Sequence, residues 1–390
     1  MKHYDVIVVG AGIVGLAHAY TAALRGLKTL VIERDAACIG ASIRNFGFVT
    51  VTGQQAGAHW SRAMRSRDIW ASIAPQAGID VIHKGLWMTA RRPAAHAVLE
   101  AFMETDMATD CELLTPEVAK QRHAALNTDG LQSVLYSPHE LRVESRTAIP
   151  RLATWLHETK GVDFRFGEAV VEIDTPRVRT TRGEYFAERV AVCTNAAPGG
   201  LFAPVWEQHS VRQCQLQMLR VRPQAGFQLN GSVMGDLSLI RYEGYAALPP
   251  SQGLRAQLEQ EESASLQHGI HLIVVQSADG SLVVGDSHHY GAAVQPFASD
   301  EVDALILRHL RETLHLSEAM VIERWVGTYP SSSAVPCIVH APSDSVRAVT
   351  VTSGSGPHSG DGAATRNGFD LADVARLHSL TMWLTVALTV

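Results

Sequence analysis

At 390 residues the chain exceeds the size of one typical hydrophobic core, so two domains are expected. Hydrophobic residues make up 46% and charged residues 18%, which excludes an intrinsically disordered chain. A net charge of −6 leaves no basic footprint and argues against nucleic acid as a partner, while a local basic pocket for a small acidic metabolite stays open.

The cysteines Cys38, Cys111, Cys193, Cys214 and Cys337 lie far apart with no CxxC pair, a usage that fits reduced thiols in a cytoplasmic protein. Asp5 interrupts the first apolar run, so no signal peptide is expected there, and the last run, LTMWLTVALTV, is too short to span a bilayer. A soluble, cytoplasmic protein without a membrane span is the expectation.

Tyr4 to Asp35 reads YDVIVVGAGIVGLAHAYTAALRGLKTLVIERD. Val6 to Val9 form a continuous apolar strand of the buried type. Gly10-Ala11-Gly12-Ile13-Val14-Gly15 follows and opens a helix with Ile13, Leu16, Ala17, Tyr20 and Leu24 on one face. Gly26 closes that helix, and a second buried strand ends in Glu33. Each part has a task in holding a dinucleotide. Gly10 permits the tight turn, Gly12 the close approach of a pyrophosphate, and Gly15 the packing of helix on strand. The amides at Ile13 and Val14 and the helix dipole face the phosphates. Glu33 is placed for the ribose hydroxyls, and Arg34 follows it.

Cys38 to Val49, CIGASIRNFGFV, sets Arg44 and Asn45 between apolar residues just past this motif. Further on, DVIHKGLWMTA (80–90) and LQMLRVRP (216–223) read as strands. Arg146 to His157 reads as a helix, and SDEVDALILRHLRETL (299–314) as an amphipathic one with Val302, Leu305, Ile306, His309, Leu310 and Leu314 inward. His309 on that face is expected to pack.

Several segments together resemble the glycine oxidase, sarcosine oxidase and D-amino acid oxidase superfamily. They are ERDAACIGASIRNFGFV, the hairpin run FGEAVVEIDTPRVRTTRGEYFAERVAVCTNAAP, DGSLVVGDSHHYG, ERWVGTYPSSSAVPCIV and VRAVTVTSGSGP. SIRNFGFV, LIVVQSADGSLVVGDSHHYG and WVGTYPSSS are similar to a subgroup associated with phosphonate catabolism. The resemblance implies an α/β Rossmann-like FAD domain (1–80, 145–215, 325–390) and an antiparallel-sheet substrate domain (81–144, 216–324). It implies non-covalent FAD, since Cys38 and Cys337 do not sit where sarcosine oxidases attach theirs. It assigns Ala41, Ser42, Arg44, Asn45 and Phe46 to the FAD path, with Asn45 near the flavin ring. Val170 and Val171 would flank the adenine, and Thr194, Asn195 and Ala196 would close over the dinucleotide. Trp325, Gly327, Gly354, Ser355 and Gly356 would lie by the flavin.

Two departures matter. The arginine that grips a substrate carboxylate in the family is replaced by Tyr329, and a phenol does not equal a bidentate guanidinium. Simple α-amino acids then become poorer candidates, and Arg44, Arg241, His288, His289 and Tyr329 become candidates for binding an anionic substrate. His288 and His289 have no third ligand at helical spacing, so no metal site is expected. After Pro357 the sequence departs from the family's long helix.

The implied reaction is FAD-dependent oxidation of a small primary or secondary amine to an imine that water hydrolyses to an aldehyde. The resemblance points to 2-aminoethylphosphonate or its N-methyl derivative, giving phosphonoacetaldehyde, with Asn45, Tyr329 and His288 nearest the chemistry. A glycine- or sarcosine-type amino acid oxidase, a NAD-dependent reductase and a non-catalytic flavoprotein subunit are the alternatives.

Overall fold

The computed structural model describes residues 2–195, 200–333 and 335–352, which form two sheets. The first strand, His3–Val9, lies between Thr29–Glu33 and Glu184–Val192, both parallel to it. Asp163–Phe166 and Val346–Val351 extend the parallel run on either side, and Cys337–Ser343 pairs antiparallel beyond the latter. This is why Val6–Val9 and Leu30–Ile32 are apolar throughout: each lies within the sheet with both faces covered. The helices Ile13–Leu24 and Ser145–Lys160 pack together on one face, with the rings of Tyr20 and Trp155 5.7 Å apart. Ile13, Leu16 and Ala17 face inward as the spacing requires, but Leu24 is exposed, because the helix ends there and Gly26 turns the chain at φ +70°.

The second sheet runs His289–Gly291, Arg212–Pro223, Leu282–Gly285, Ile273–Gln276, Ser232–Met234, Val81–Ala90, Ser133–Val143 and Phe48–Val49. It is antiparallel except where Ser232–Met234 meets Val81–Ala90. Ala319–Ser331 pairs along the whole of Arg212–Pro223, so the expected boundaries at 215 and 325 fall inside two strands of this sheet. A continuous ladder cannot be divided there, and both strands belong whole to the second sheet. The helix Asp300–Thr313 covers this sheet with Val302, Ile306, His309 and Leu310 buried, Leu305 half-buried, and Leu314 buried just past its end. His309 packs as expected, its Nε2 2.9 Å from Ser265 Oγ. Among the described residues no helix is long and apolar enough to cross a membrane.

Glu144, just before the helix Ser145–Lys160, ties the sheets together. It accepts from Arg142, Arg220 and Ser277 at 3.3, 3.2 and 2.8 Å. Ser145 Oγ then donates to the carbonyl of Asn45 at 3.2 Å, which fixes the segment after Ser42 to the same joint.

Candidate active site

The carboxyl ends of the parallel strands open into a cleft of about 290 Å³, lined by Gly10, Gly12, Glu33, Arg34, Ala41, Ser42, Val170, Thr194 and Asn195 among others. Gly10 adopts φ +104°, and a Cβ there would stand 2.6 Å from the Cys193 carbonyl. A Cβ on Gly15 would strike the Gly10 carbonyl at 1.9 Å, so the helix can meet this turn only without a side chain. Glu33 accepts from the Ala11 and Asp35 amides at 2.8 and 3.0 Å, and Ser42 Oγ accepts from the Ile13 amide at 2.9 Å. Backbone donors, a hydroxyl and a strand-end carboxylate therefore converge beside a helix N-terminus, a donor set suited to a diphosphate and a ribose. Val170 lines the cleft, whereas Val171 is exposed, because adjacent strand residues point to opposite faces. Arg34 is mostly exposed and pairs with Asp35 at 3.3 Å. Ala196, Gly354, Ser355 and Gly356 lie outside the described residues.

From Ser42 the chain passes to the second sheet. Asn45 Nδ2 donates to the Ala41 and Ser42 carbonyls at 3.1 and 3.3 Å, and its Oδ1 accepts from the Gly47 amide at 2.8 Å. These bonds close a turn in the way asparagine side chains favour and fix the amide beside Ser42. Phe46 is fully buried against the sheet, its ring 3.1 Å from where a Gly285 Cβ would stand. Arg44 clasps the edge strand. Its Nε donates to the Ile39 carbonyl at 2.8 Å and its own carbonyl accepts from Trp325 Nε1 at 3.0 Å. Gly327 leaves this contact uncrowded, since a Cβ there would lie 3.1 Å from the Arg44 carbonyl. The Arg44 side chain lines a second, wider cleft of about 600 Å³ with Arg146, Gln215, Trp325 and Thr328.

Tyr329 is elsewhere. It stands opposite Cys214 in the ladder, and Cys214 stands opposite Tyr290 on its other side. Alternation turns these three away from Gln215 and Thr328. Arg241 joins them, its Nη2 donating to the Tyr290 phenol at 3.2 Å while its buried Nε has no hydrogen-bond partner. Among the described residues no carboxylate oxygen comes within 4.0 Å of a guanidinium nitrogen of Arg241. Asp286, His271 and His288 complete the cluster; His288 stacks on His271 at 5.1 Å and on Tyr290 at 6.4 Å. Burial raises the Tyr329 phenol well above its usual range and holds the His271 and His288 imidazoles well below theirs. The raised Tyr290 phenol follows the same cause.

The adjacent histidines part company. His289 points to the Gln215 side, where its Nε2 lies 3.1 Å from His268 Nδ1, so it is not in the Arg241 cluster. The missing third partner of His288 is present in space after all: donor atoms of His271, Asp286 and His288 lie within 4.8 Å of one another. Helical spacing could not find it, because His271 and Asp286 meet across paired strands. Arg241 acts on all three groups and opposes a metal cation among them. Asp286, His271, Tyr290 and Cys214 were not singled out from the sequence, although Asp286 and Tyr290 flank His288 and His289 in GDSHHYG.

Comparison with known proteins agrees with this architecture. Glycine oxidase from Geobacillus kaustophilus superposes with a TM-score of 0.72 at 17% identity, over 100% of this chain and 95% of that one. L-proline dehydrogenase from P. horikoshii superposes with a TM-score of 0.74 at 16% identity, over 99% and 92%. Identities this low establish a shared fold. Monomeric sarcosine oxidase of Bacillus sp. (strain B-0618) is 25% identical over 208 residues, 50% of this chain and 52% of that protein, so the match spans about half of that relative's length. The profile of the family described as FAD dependent oxidoreductase matches residues 5–365. With the glycine turn, Glu33 and Ser42 arranged around one cleft, the cofactor is FAD, and the chain belongs to the DAO family of FAD dependent oxidoreductases.

Proposed function

We propose that the protein oxidises a small primary or secondary amine bearing an anionic group, with 2-aminoethylphosphonate or its N-methyl derivative as the preferred substrate. The product is an imine that water hydrolyses, giving phosphonoacetaldehyde with ammonia or methylamine. The sarcosine oxidase relative supports an amine donor, and the SIRNFGFV, GDSHHYG and WVGTYPSSS segments support the phosphonate branch. Bound FAD supplies the acceptor for a hydride equivalent from the carbon beside nitrogen. It is held non-covalently, since burial pushes the cleft-lining Cys38 thiol up to about 11 and keeps it a poor nucleophile.

The observation that carries this reading is Arg241. Its guanidinium is flanked by the phenols of Tyr290 and Tyr329, has a buried Nε without a partner, and has no carboxylate within ion-pair distance among the described residues. An uncompensated guanidinium between hydroxyl donors is suited to an oxyanion. It takes over the anchoring that Tyr329 cannot give alone. The same cation and the dry wall around it disfavour the ammonium form of a bound amine, and only the neutral amine reacts.

An anaerobic screen tests the proposal: the holoprotein is mixed with 2-aminoethylphosphonate, its N-methyl form, glycine and sarcosine while the visible flavin bands are followed. Bleaching fastest with the phosphonates is expected. Bleaching by glycine or sarcosine alone defeats the phosphonate assignment, and no bleaching by any amine defeats amine oxidation.

A further inference from the structure

Asp286 is 1% exposed and faces His271 directly, each backbone N–H donating to the other's carbonyl at 3.1 and 3.3 Å. His271 Nε2 lies 3.2 Å from Asp286 Oδ1 but off the line a hydrogen bond needs, so that oxygen accepts none. His288 Nε2 lies 3.7 Å from Oδ2. The other nitrogen of His288 fixes its tautomer: Nδ1 is 2.9 Å from the Gly269 carbonyl, which only accepts, so Nδ1 carries the proton. In the neutral ring Nε2 therefore presents a bare lone pair to a buried carboxyl group. Two acceptors facing each other away from water repel, and a proton between them relieves this. The carboxyl group is the place for it, because burial favours a neutral acid over a carboxylate and a neutral imidazole over an imidazolium, which Arg241 disfavours further.

The groups facing Asp286 come from five segments. They are His271 with Ser238 and Tyr242 behind it, His288 from its own segment, Cys214, and Arg241, with Tyr290 and Tyr329 from adjacent strands against Arg241 and Cys214. Arg212 stacks on the Tyr290 ring at 5.6 Å and is not among the charges acting on Asp286. Among the described residues facing Asp286, Arg241 is thus the sole permanent charge. Its freedom to hold an anion depends on whether Asp286 is an acid or a carboxylate.

We propose that Asp286 is a proton-linked positioning residue for the substrate anchor: as the neutral acid it leaves the Arg241 charge for an incoming oxyanion, and as the carboxylate its negative charge opposes that oxyanion beside Arg241 and weakens the binding. The inference rests on Arg241 being the anchor of the proposed function. It adds that an oxyanion and a proton bind together. Burial pushes the Asp286 acid up to about 8, so the acid persists through neutral pH and anion affinity declines above it.

The test uses the holoprotein with acetate, a non-oxidisable anion of constant charge in the range used, and with methylphosphonate. Binding is read from the shift of the flavin absorbance between about pH 6.5 and 9.5 and, at about pH 8.5, by calorimetry in two buffers of different protonation enthalpy. For acetate we expect a dissociation constant that is flat at low pH and rises toward tenfold per pH unit above about 8, as one linked proton requires. Calorimetry should show roughly three quarters of a proton taken up per anion bound, the fraction of Asp286 ionised there with a value of about 8. In Asp286→Asn the profile should be flat and the uptake absent. A flat wild-type profile, no proton uptake by the wild type, or an unchanged slope in Asp286→Asn overturns the proposal; the calorimetric arm needs no variant. Arg241→Gln separates the two readings. If it binds acetate and methylphosphonate as the wild type does, the anchor itself is misplaced. If it loses both while the wild-type profile is flat, the anchor stands and the proton linkage falls.

Discussion

Ser42 Oγ sits 2.9 Å from the Ile13 amide, so a hydroxyl twenty-nine residues downstream caps the first turn of the glycine-motif helix. The short 3₁₀ turn Ala41–Ile43 brings it there, and Gly12 leaves room, since a Cβ on it would stand 3.1 Å from that oxygen. A diphosphate held at this helix N-terminus would lie beside Ser42 and take a hydrogen bond from its hydroxyl, whose oxygen is already engaged by the amide. Ser42→Ala should weaken FAD binding about 5- to 10-fold, the worth of one hydrogen bond of roughly 1–1.5 kcal/mol. Titrating apoprotein with FAD and following the quenching of flavin fluorescence measures it. An unchanged dissociation constant would remove Ser42 from the cofactor site.

Gly10→Ala tests the turn itself. The backbone there holds φ +104°, and the added methyl would stand 2.6 Å from the Cys193 carbonyl. Strain of about 1–3 kcal/mol is expected, and the turn must shift to relieve it. The variant should purify with little FAD and melt several degrees lower as apoprotein. A variant that keeps its yellow colour and its melting temperature would mean the turn is not under this constraint.

How much of this was legible in the sequence follows from how local each feature is. The first strand, the glycine turn, the helix and Glu33 form one continuous stretch, and their spacing carries the geometry. The Arg241 cluster is different. Arg241, His271, Asp286 and Tyr329 come from four separate segments: the pairing of 212–223 with 289–291 and 319–331 sets Tyr329 beside Cys214 and Tyr290, and the backbone bonds between 271 and 286 set Asp286 against His271. His288 and His289 look equivalent as a pair, yet alternation sends one toward Arg241 and the other toward His268. Asn45 carries two signals at once: a polar residue among apolar ones marks a ligand, and NFG marks an asparagine closing its own turn onto Gly47.

Tyr329→Phe separates packing from anchoring. The ring is buried and the phenyl group keeps its contacts, so folding and FAD content should be unchanged. If the phenol helps hold the oxyanion beside Arg241, KM for an anionic amine should rise about 3- to 10-fold while kcat stays within about twofold, the mark of lost ground-state binding. KM for an uncharged amine of similar size should not move. Equal losses for both substrates would assign Tyr329 a purely structural role.

The acid limb of stability should follow two histidines outside the site, the buried His123 and the half-buried His83. His83 Nε2 accepts from the Gln276 amide at 3.2 Å and His123 Nε2 from the Asn230 amide at 3.3 Å, so both nitrogens must stay unprotonated in the fold. Burial, with Arg142 and His123 nearby, holds His83 down to about 3, and burial holds His123 down to about 4. Both lie below the ordinary value of 6.5, so the unfolded chain takes up these protons first. Their contribution is full above about pH 6.5 and is lost as pH falls toward 4, by up to about 1.4 kcal/mol per pH unit for each ring. The melting temperature should therefore decline steadily from about pH 6.5 to 4. His83→Gln, which keeps an acceptor for the Gln276 amide but cannot titrate, should make the decline shallower even if it lowers stability at neutral pH. Thermal melts of both proteins across that range decide it: parallel declines would show that His83 does not carry the acid sensitivity.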